Sequence, residues 1–561
     1  MSTPPLRVIP LGGLGEIGLN LMVLECGDDI ILIDCGVLFP DLSWLGLDLV
    51  LPDFSYLIAN EKKIKGLVVT HGHEDHIGAI PFLLKKVKVP IIYCSRFAAR
   101  LIQDKCSEHK VLPSLLTYNV KAGENYDLGV FNVEFIHVTH STLETFALAI
   151  RTPHGLVVHS GDFKFDEKPY DGPASDKKRL GELKKEKPLL LLSDSTNSEK
   201  CGHSLSESSI NDDLTELIKD SPQAVVVALF ASNVHRIHQL MDIAAECGRK
   251  VFLSGRSMER YVQIAIDEGF LPVKLSLLRP LEAINDYDRN EVLILSTGSQ
   301  GEARSSLLRL SKNENRWFKI QPNDVIILSS RNIPGNEKAI SWVVNQMFKL
   351  GAIVHYESLK NVHVSGHAYK EEQEELLKLV SPQYFIPVHG EYRHLVIHAK
   401  TADESGYLAR KKKDPTKRAY VIENGQVWEF DGSEARLAEI VPTGRHWVFF
   451  DNSGDFDDTS LKDRRAAARA GIITVDCLVE NRATQLVKTP HVNLKGFLGN
   501  AKKMESLKEV IMREAEHAFV NWHPENPDGF TREQAVASAA RKILRKAFDI
   551  KPLVIVNFLS I

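Results

Sequence analysis

Short apolar runs separated by Gly and Asp turns make up the first part of the chain. In residues 6–34 the runs LRVIPL, LNLMVLE and DIILID alternate apolar and polar positions. A period of two indicates strands with one buried face, and short turns join such strands antiparallel, so the pattern predicts a β-meander. Similar patterns predict a short helix at 76–86 and further strands at 64–70, 90–94, 131–139, 146–151, 156–159, 189–193 and 384–388.

Residues 207–360 follow a different pattern. The apolar runs AVVVALF, KVFLSG, EVLILST and DVIILSS are separated by amphipathic stretches of about 10–15 residues. Regular alternation of strand and helix is typical of parallel-sheet α/β domains. This part of the chain is therefore predicted to be a parallel-sheet domain.

The C-terminal residues 461–561 predict a small α/β domain with one well-marked helix. Thr531, followed by Gln534 three positions later, has the capping-box pattern of a helix start. Apolar residues at helical spacing line one face of this helix: Val536, Ala540, Ile543 and Ala547. The charged stretch 408–418 is predicted to be a solvated surface turn.

The length of 561 residues is too great for one domain. The changes of pattern separate residues 1–206, 207–360 and 361–440 from one another. They also predict a linker at 441–460 and a separate C-terminal domain at 461–561.

The formal net charge of −4 excludes a uniformly basic nucleic-acid-binding protein. Residues 461–561 nevertheless carry 17 basic against 11 acidic side chains. This excess is compatible with contact to a polyanion and equally with a solvated helical surface. The seven cysteines are odd in number, widely spaced and without a C-x-x-C pair, which indicates reduced thiols. With neither a secretory pattern nor a membrane-length apolar run, the protein is predicted to be cytoplasmic, with no membrane contact.

A glycine-rich motif near the start suggests a dinucleotide site. Gly13, Gly15 and Gly18 match G-x-G-x-x-G after a strand, and Asp34 lies at a suitable distance for a ribose contact. In that motif the glycines open a helix, whereas the residues after Gly18 alternate like a strand. A hairpin beside an active site fits these glycines better.

The stretch THGHEDHIG concentrates metal ligands directly after a predicted strand. Residues two apart on an extended chain point to the same side, so His71 and His73 can converge on one ion. Asp75 and His76, at the start of the next helix, can reach a second ion. Imidazole and carboxylate together suit zinc or manganese. Glu74 alternates to the opposite side and is interpreted as structural.

Three further strand ends offer the ligands that a second ion requires. They present His140 after VEFIHVT, Asp162 after LVVHSG and His389 after YFIPV. A carboxylate between two cations can bridge them. Each residue alone is a weak signal, because a histidine at a strand end is more often a hydrogen-bonded core residue.

Three other residues near these strands are given lesser roles. Asp34, in ILIDCG, is a candidate for orienting a metal-bound histidine. His137 and His159 lie one strand period from candidate ligands and are interpreted as bystanders.

The motif H-x-H-x-D-H, followed by THS and SGDFK, resembles the metallo-β-lactamase superfamily, and residues 207–360 resemble the β-CASP domain of its nucleic-acid-processing members. Asp194 in SDSTN, His367 in HVSGHA and His389 in VHGE match that group's three motifs. The segments FASNVHR, SGRSM, STGSQGE and IPGNE are similar to bacterial ribonuclease J enzymes. The likeness runs from residue 6 to residue 440, and KPLVIVNFLSI resembles the group's closing strand.

The resemblance implies an αββα sandwich in two parts, residues 1–206 and 361–440, with a β-CASP domain inserted at 207–360 and a small α/β C-terminal domain at 461–561. It also implies two divalent ions per chain, with zinc expected first and manganese or magnesium as alternatives. One ion would be held by His71, His73 and His140, the other by Asp75, His76 and His389, and Asp162 would bridge them.

The implied reaction is metal-assisted hydrolysis of RNA phosphodiester bonds, because histidine at the third β-CASP motif goes with RNA in this superfamily. Asp162, Asp194 and His367 are the expected catalytic residues, with His367 beside the scissile phosphate. Both internal cleavage and 5′-to-3′ degradation are implied, in rRNA processing and mRNA decay. The expected partners are single-stranded RNA with a 5′-monophosphate, other RNA-decay proteins and a second or further copies in a homodimer or homotetramer. The expected phosphate pocket contains Ser232, Asn233, His363, Ser365, Gly366 and His367.

The chain departs from the group's common pattern at two places. Residues 140–144 read HSTLE where HSIPD is common, and Ser160 replaces a common threonine. Neither change removes a ligand. Three rival functions remain open at this stage: a small-molecule hydrolase of the same fold, a DNA-repair nuclease, and a degenerate RNA-binding subunit. The β-CASP motifs disfavour the first, His389 the second, and the full ligand set the third.

Overall fold

The fold is that of a computed structural model, in which the described residues form two compact units. One unit lies within residues 1–42 and 48–446, and the other within 43–47 and 447–561. The structure describes residues 4–40, 47, 49–113, 116–117, 120–272, 276–302, 305–331, 336–408, 418–431, 434–448, 458–480, 485–497, 501–525, 529–548 and 552–561.

Two large sheets pack face to face in the first unit. In spatial order, the first sheet consists of Ala435–Ile440, Gln426–Phe430, Leu6–Gly12, Leu21–Cys26, Asp29–Ile33, Ile64–Val68, Ile92–Tyr93 and Leu116–Thr117. The second sheet consists of Tyr384–Val388, Leu190–Asp194, Gly155–His159, Phe146–Thr152, Phe131–His137 and Asn125–Leu128. The unit also contains the short strands Leu14–Gly15, Leu49–Pro52 and Gly390–Glu391.

Alternating side chains of both sheets build the core between them. Val8 and Leu24 face each other across the antiparallel register of the first sheet. They share one buried cluster with Phe135, Leu148 and other residues of the second sheet. The first three strands follow one another as neighbours, which confirms the predicted β-meander.

Helices cover the outer face of the second sheet. Residues of its strands that point away from the first sheet, such as Ala149 and Phe385, belong to a second buried cluster. Three helices contribute to that cluster through Leu180, Leu377 and Ala399. This arrangement confirms the predicted αββα sandwich with an insertion. The helices of the sandwich are Ser55–Ala59, Glu74–Ile77, Ile80–Lys86, Arg96–Glu108, Lys177–Glu182, Lys370–Val380 and Tyr392–Ser405.

The predicted helix at 76–86 is two helices. Glu74–Ile77 ends before Gly78, and Ile80–Lys86 begins one residue after Ala79. Pro81 lies in the first turn of the second helix, where its missing N–H group costs nothing, although the same residue inside a continuous helix would break the hydrogen-bond ladder. The prediction of one helix was therefore wrong.

The inserted domain contains a six-stranded sheet in which every pair of neighbours is parallel. This confirms the predicted parallel-sheet domain. Its strands, in spatial order, are Leu278–Arg279, Lys250–Ser254, Val292–Ser296, Val225–Ala228, Val325–Leu328 and Ile353–His355. Its helices are Asn211–Lys219, Val234–Glu246, Arg256–Asp267, Ser306–Ser311 and Glu337–Lys349.

The insertion leaves and re-enters the sandwich between two neighbouring strands. Leu190–Asp194 pairs in parallel with Tyr384–Val388, and Asp194 lies opposite Val388. The residues between these two strands include the whole insertion sheet. Segments on both sides of the insertion therefore meet at one edge of the second sheet.

The second unit is a three-stranded sheet packed on helices. Its strands are His491–Lys495, Ile472–Val479 and Leu553–Ser560, and its helices are Asp458–Ala470, Ala501–Val520 and Arg532–Phe548. Thr531 Oγ1 accepts from Gln534 N at 3.2 Å, and Gln534 Oε1 accepts from Thr531 N at 2.9 Å. Val536 and Ala540 are fully buried. These contacts confirm the predicted capping box and the buried face at those positions; the side chain of Ala547 lies outside the described residues.

Two predicted surface segments fall mostly outside the described residues. Residues 409–417 of the charged turn and residues 449–457 of the predicted linker belong to this group. The strand Arg445–Val448 lies inside the stretch predicted as linker. Within the described part of the chain, no helix is long and apolar enough to cross a membrane.

Candidate metal centre

All seven predicted ligands lie in segments that follow the C-terminal ends of strands. Four follow Ile64–Val68 in the first sheet: His71, His73, Asp75 and His76. Phe131–His137, Gly155–His159 and Tyr384–Val388 run in the same direction within the second sheet, so their C-terminal ends meet at one edge. The loops after these strands carry His140, Asp162 and His389.

Three imidazoles and one carboxylate form the first group of ligand atoms. His73 Nδ1 lies 3.0 Å from His71 Nε2 and 3.1 Å from His140 Nε2. Asp162 Oδ2 lies 3.7 Å from both His71 Nε2 and His140 Nε2. These four side chains could together hold one metal ion.

The second group shares Asp162 with the first. Asp75 Oδ2 lies 3.6 Å from His76 Nε2 and 3.3 Å from His389 Nε2. Asp162 Oδ2 lies 3.2 Å from His76 Nε2 and 3.6 Å from His389 Nε2. One carboxylate oxygen thus faces both groups, as a ligand that bridges two ions must.

The spacing of these donors fits bound cations. A tetrahedral ion with ligands at about 2.0–2.1 Å holds its donor atoms roughly 3.3 Å apart, and both groups have this spacing. Imidazole nitrogens that face one another without a cation between them repel unless one is protonated. The mixture of imidazole and carboxylate donors suits zinc or manganese.

Asp34 and Thr70 orient two of the histidines from behind. Asp34 Oδ2 lies 2.8 Å from His76 Nδ1 and accepts from Thr70 Oγ1 at 2.8 Å. Thr70 Oγ1 in turn lies 3.0 Å from His71 Nδ1. Both imidazoles therefore turn Nε2 toward the centre, as the role predicted for Asp34 requires.

Thr196 and Asp194 support the opposite side of the centre. Thr196 Oγ1 lies 2.7 Å from His389 Nδ1 and donates to Asp194 Oδ1 at 2.7 Å. The other oxygen of Asp194 lies 2.8 Å from His367 Nδ1. One buried carboxylate therefore orients both His389 and His367.

The segment that carries His367 also contacts a predicted metal ligand directly. His140 Nδ1 lies 2.6 Å from the carbonyl oxygen of Gly366. A Cβ atom at Gly366 would come within 2.7 Å of Ser141 Oγ and 2.9 Å of the His140 ring, so only glycine fits this approach. Gly366 of the predicted phosphate pocket thus contacts His140 of the candidate metal centre directly.

Burial and neighbouring charge set different protonation states across the centre. Burial lowers the pKa of His73 to about 4, and it lowers those of His71 and His140 well below the usual value. Burial also opposes charge on His76 and His389, but Asp162 and its neighbours raise the pKa of both. The first group therefore offers neutral imidazoles, whereas a cation must displace protons from the second.

The domains of the chain match four family models. Residues 15–192 match the metallo-beta-lactamase superfamily, residues 222–347 the beta-CASP domain of ribonuclease J, residues 352–412 the Zn-dependent metallo-hydrolase RNA specificity domain, and residues 459–561 the ribonuclease J C-terminal domain.

Curated proteins named ribonuclease J are similar over nearly the whole chain. The protein of Helicobacter pylori is 36% identical over 99% of this chain and 79% of its own length. That of Synechocystis is 37% identical over 99% and 86%, and ribonuclease J 1 of Streptococcus pyogenes is 35% identical over 98% and 96%.

The chain belongs to the ribonuclease J family.

Membership in this family makes the chain a metal-dependent hydrolase of RNA, which excludes the small-molecule hydrolase and the DNA-repair nuclease. A solved protein of unknown function from Enterococcus faecalis has a TM-score of 0.51 at 16% identity, over 76% of this chain and all of its own. That likeness concerns the fold alone.

Two residues of the predicted phosphate pocket, Ser232 and Asn233, lie beyond the C-terminal edge of the insertion sheet. Ser232 and Asn233 follow Val225–Ala228, from which the chain continues to one side of the sheet. The neighbouring strand Val325–Leu328 continues to the other side. The crevice at such a switch of direction is the usual ligand site of open α/β sheets.

Polar side chains of the pocket are linked to one another. Asn197 Nδ2 donates to Ser365 Oγ at 2.9 Å and to the His367 carbonyl at 3.0 Å. Asn197 Oδ1 accepts from the guanidinium of Arg331 at 3.3 Å. Burial and the nearby cations lower the pKa of His363 to about 3, so its imidazole is neutral.

Sequence reasoning missed Thr196, Asn197 and Arg331. Thr196 and Asn197 directly follow Asp194 within SDSTN, so that motif contained the signal. Arg331 follows a buried strand in SSRN, and only the topology of the insertion sheet brings it toward Asn197.

The residues interpreted as bystanders have partners of their own. His137 Nε2 lies 3.0 Å from the Pro173 carbonyl, and His159 Nδ1 accepts from Gly161 N at 3.0 Å. Glu74 pairs with Lys105 at 2.5 Å. In the departing segment 140–144, Glu144 accepts from Phe97 N at 2.9 Å, at the start of the helix Arg96–Glu108.

The glycines of the G-x-G-x-x-G motif do not open a helix. Leu14–Gly15 is a short strand that pairs in parallel with Gly390–Glu391, directly after His389. The motif therefore forms part of a turn beside the metal centre, as the hairpin interpretation predicts.

Proposed function

We propose that this chain binds two divalent cations, zinc first and manganese or magnesium as alternatives. His71, His73 and His140 would hold one ion. Asp75, His76 and His389 would hold the other, and Asp162 would be shared by both. The observation that carries this proposal is the single oxygen Asp162 Oδ2, which faces four imidazole nitrogens at 3.2–3.7 Å.

When bound at these residues, the cations would lower the pKa of a water molecule to give a nucleophile and would neutralise charge on the phosphate. His367 presents Nε2 to the substrate because Asp194 engages its Nδ1. Although burial opposes charge, Asp194 raises the pKa of His367, which favours the protonated imidazole. His367 donates that proton to the leaving oxygen, and Asp194 stabilises the charged form.

The pocket at the insertion sheet binds the 5′-monophosphate of an RNA end. Ser232, Asn233, Ser365 and the backbone at Gly366 offer small donors that suit a phosphate. His363 Nδ1 is buried without a hydrogen-bond partner among the described residues, which points to a polar group of the substrate. The contact between Gly366 and His140 supports cleavage close to the bound end.

This arrangement supports 5′-to-3′ degradation of 5′-monophosphorylated RNA together with internal cleavage, in RNA maturation and decay. A pocket sized for one phosphate excludes a triphosphate. Resemblance to the family supports action in the cytoplasm as a homodimer or homotetramer, with other RNA-decay proteins as partners.

Asp162→Asn tests the metal centre. The substitution removes the charge that both groups share, so we expect less bound metal per chain and a loss of RNA cleavage well beyond the roughly 10–100-fold typical of outer residues. Metal content is measured by mass spectrometry of the purified protein. Cleavage at the wild-type rate by the variant would contradict the proposal.

A time course on one RNA with either a 5′-monophosphate or a 5′-triphosphate tests the pocket. We expect mononucleotide release from the monophosphorylated form and only internal fragments from the other. Equal release of mononucleotides from both forms would contradict a pocket for one phosphate.

A further inference from the structure

Arg236 is the largest fully buried side chain of the described residues. It lies in the first turn of the insertion helix Val234–Glu246. A charged group in the interior is destabilising unless it is paired and hydrogen-bonded. The hydrogen-bond partners of Arg236 therefore indicate which parts of the structure it holds in place.

The guanidinium of Arg236 joins two segments that border the phosphate pocket. Its NH1 group donates to Ser329 Oγ at 2.5 Å and to the Val362 carbonyl at 3.2 Å. Ser329 Oγ also donates to the Val362 carbonyl at 2.6 Å. Ser329 lies two residues before Arg331, and Val362 lies directly before His363.

The backbone of the same residue holds a third part of the pocket. Arg236 N donates to Asn233 Oδ1 at 3.0 Å, which caps the helix. Arg236 thus joins three segments of the chain. Its own segment carries Asn233, the segment of Val362 carries His363, and the segment of Ser329 carries Arg331.

A chain of buried charges connects Arg236 to the strand end that carries the shared carboxylate. Its NH2 group pairs with Glu207, whose other oxygen lies 3.7 Å from Lys164 Nζ. Lys164 Nζ also lies 3.2 Å from Asp166 Oδ2, and Glu207 N donates to Asp166 at 2.9 Å. Lys164 follows Asp162 by two residues.

We propose that Arg236 is a positioning residue, which sets the geometry of the 5′-phosphate pocket and fixes it relative to the metal centre through Glu207 and Lys164. This inference rests on the proposed monophosphate pocket. The planar fork of arginine allows one side chain to bind Ser329, Val362 and Glu207 at once, and the single ammonium of lysine cannot reproduce that arrangement.

Arg236→Lys tests the proposal, and Arg249→Lys is its matched control. Arg249 is also buried in the insertion, with 2% of its surface exposed, but it donates to backbone carbonyls of Ile218, Ser221, Gln223 and Val292, before or at the starts of strands. Both variants keep a positive charge but replace a buried, planar guanidinium group with an ammonium group. Only Arg236 borders the pocket.

The measurements are kcat and KM on one RNA carrying a 5′-monophosphate or a 5′-hydroxyl group, with bound metal per chain as a further readout. For Arg236→Lys we expect the preference in kcat/KM for the monophosphate to fall about 10- to 100-fold, as displaced binding groups do. Cleavage of the 5′-hydroxyl RNA should fall far less than cleavage of the 5′-monophosphate RNA, and the metal content should stay at the wild-type level. Arg249→Lys should keep the wild-type preference.

An unchanged preference in Arg236→Lys, or an equal loss in both variants, would overturn the positioning role. If the wild-type enzyme itself shows no preference for the monophosphate, the proposed pocket fails first and the inference fails with it. Should Arg236→Lys not fold, Ser329→Ala decides the matter: it keeps the guanidinium and removes one of its pocket contacts. A retained preference in Ser329→Ala would then overturn the proposal.

Discussion

Asp34 and His389, on opposite sides of the metal centre, both have left-handed backbones, with φ of 59° and 53°. For residues other than glycine this conformation costs about 1–3 kcal/mol. Asp34 accepts from Thr70 N at 2.8 Å, and the His389 carbonyl accepts from Ser195 N at 3.2 Å. These bonds hold both residues in conformations that turn their side chains toward the centre.

Asp34→Asn should weaken metal binding without unfolding the chain. The neutral amide of asparagine cannot replace the carboxylate that accepts from both Thr70 and His76. The imidazoles of His71 and His76 therefore lose their orientation. We expect a loss of metal affinity of about 10–100-fold, measured by competition with a chelator. His137→Gln is the control, since the His137 ring lies against the Pro173 carbonyl and is not among the predicted ligands. An equal effect of both substitutions would contradict the role of Asp34.

His398 should make the folded state less stable in acid. It is fully buried, its Nδ1 lies 3.0 Å from Ser195 Oγ, and burial lowers its pKa to about 3. In the unfolded chain the pKa is about 6.5, so below that pH the unfolded state binds a proton that the folded state does not. The stability lost to this group between pH 7 and pH 5 is about 2 kcal/mol, and the loss levels off below pH 3.

The measurement is the melting temperature of wild type and His398→Gln at pH 7 and pH 5. The variant lacks the titrating group, so its deficit relative to wild type should narrow at pH 5. A deficit of the same size at both values would show that His398 titrates alike in the folded and unfolded states.

At the residue scale, the predictable part of the site was the part that is local in sequence. His71, His73, Asp75 and His76 follow one strand, and their spacing alone indicated a metal centre. His140, Asp162 and His389 also follow strands, but each was a weak signal alone, and the likeness to a family strengthened their assignment. The buried role of Arg236 could not be recognised from the sequence. An arginine on an amphipathic helix is predicted to be solvated until the structure shows its partners.

At the scale of elements, the helix Arg532–Phe548 depends on its capping box. Thr531→Ala removes the acceptor for Gln534 N, which should cost about 1 kcal/mol and speed hydrogen exchange in the first turn about fivefold. Hydrogen–deuterium exchange of the intact chain measures this. Thr531→Ser keeps the hydroxyl and should exchange like wild type; faster exchange in the serine variant would show that the methyl group matters instead.

Helices and strands could be predicted where the apolar periodicity was strong. The prediction was wrong where a single residue determines where a helix ends. The meander and the parallel insertion sheet follow from apolar runs whose period is clear. The break between Glu74–Ile77 and Ile80–Lys86 depends on Pro81, which an averaged helical pattern hides. Strand pairing across the insertion, such as Asp194 opposite Val388, was beyond any local pattern because about 190 residues separate the partners.

At the scale of the whole molecule, the metal centre ties together distant parts of the chain. His71 and His389 lie on either side of the insertion, yet both ligand groups include Asp162. Bound ions should therefore stabilise the folded state, by about 4 kcal/mol at a thousandfold excess over the dissociation constant. Treatment with a chelator should lower the melting temperature of the first unit by several degrees.

Asp162→Asn provides the comparison for this prediction. The chelator should shift the variant far less than the wild-type enzyme, because the variant binds less metal. Equal shifts would mean that the chelator acts elsewhere than at the shared carboxylate. Restoration of the wild-type melting temperature by added zinc or manganese identifies which ion fits.

The parallel pairing of Leu190–Asp194 with Tyr384–Val388 has a consequence for how such enzymes diversify. Two parallel neighbours always need a crossover connection of a dozen or more residues, and here an entire domain occupies that connection. A replacement of different length or specificity would start and finish at the same two adjacent strand ends. Recombination at these strand ends can therefore exchange the inserted domain while the strands that carry the predicted metal ligands keep their register.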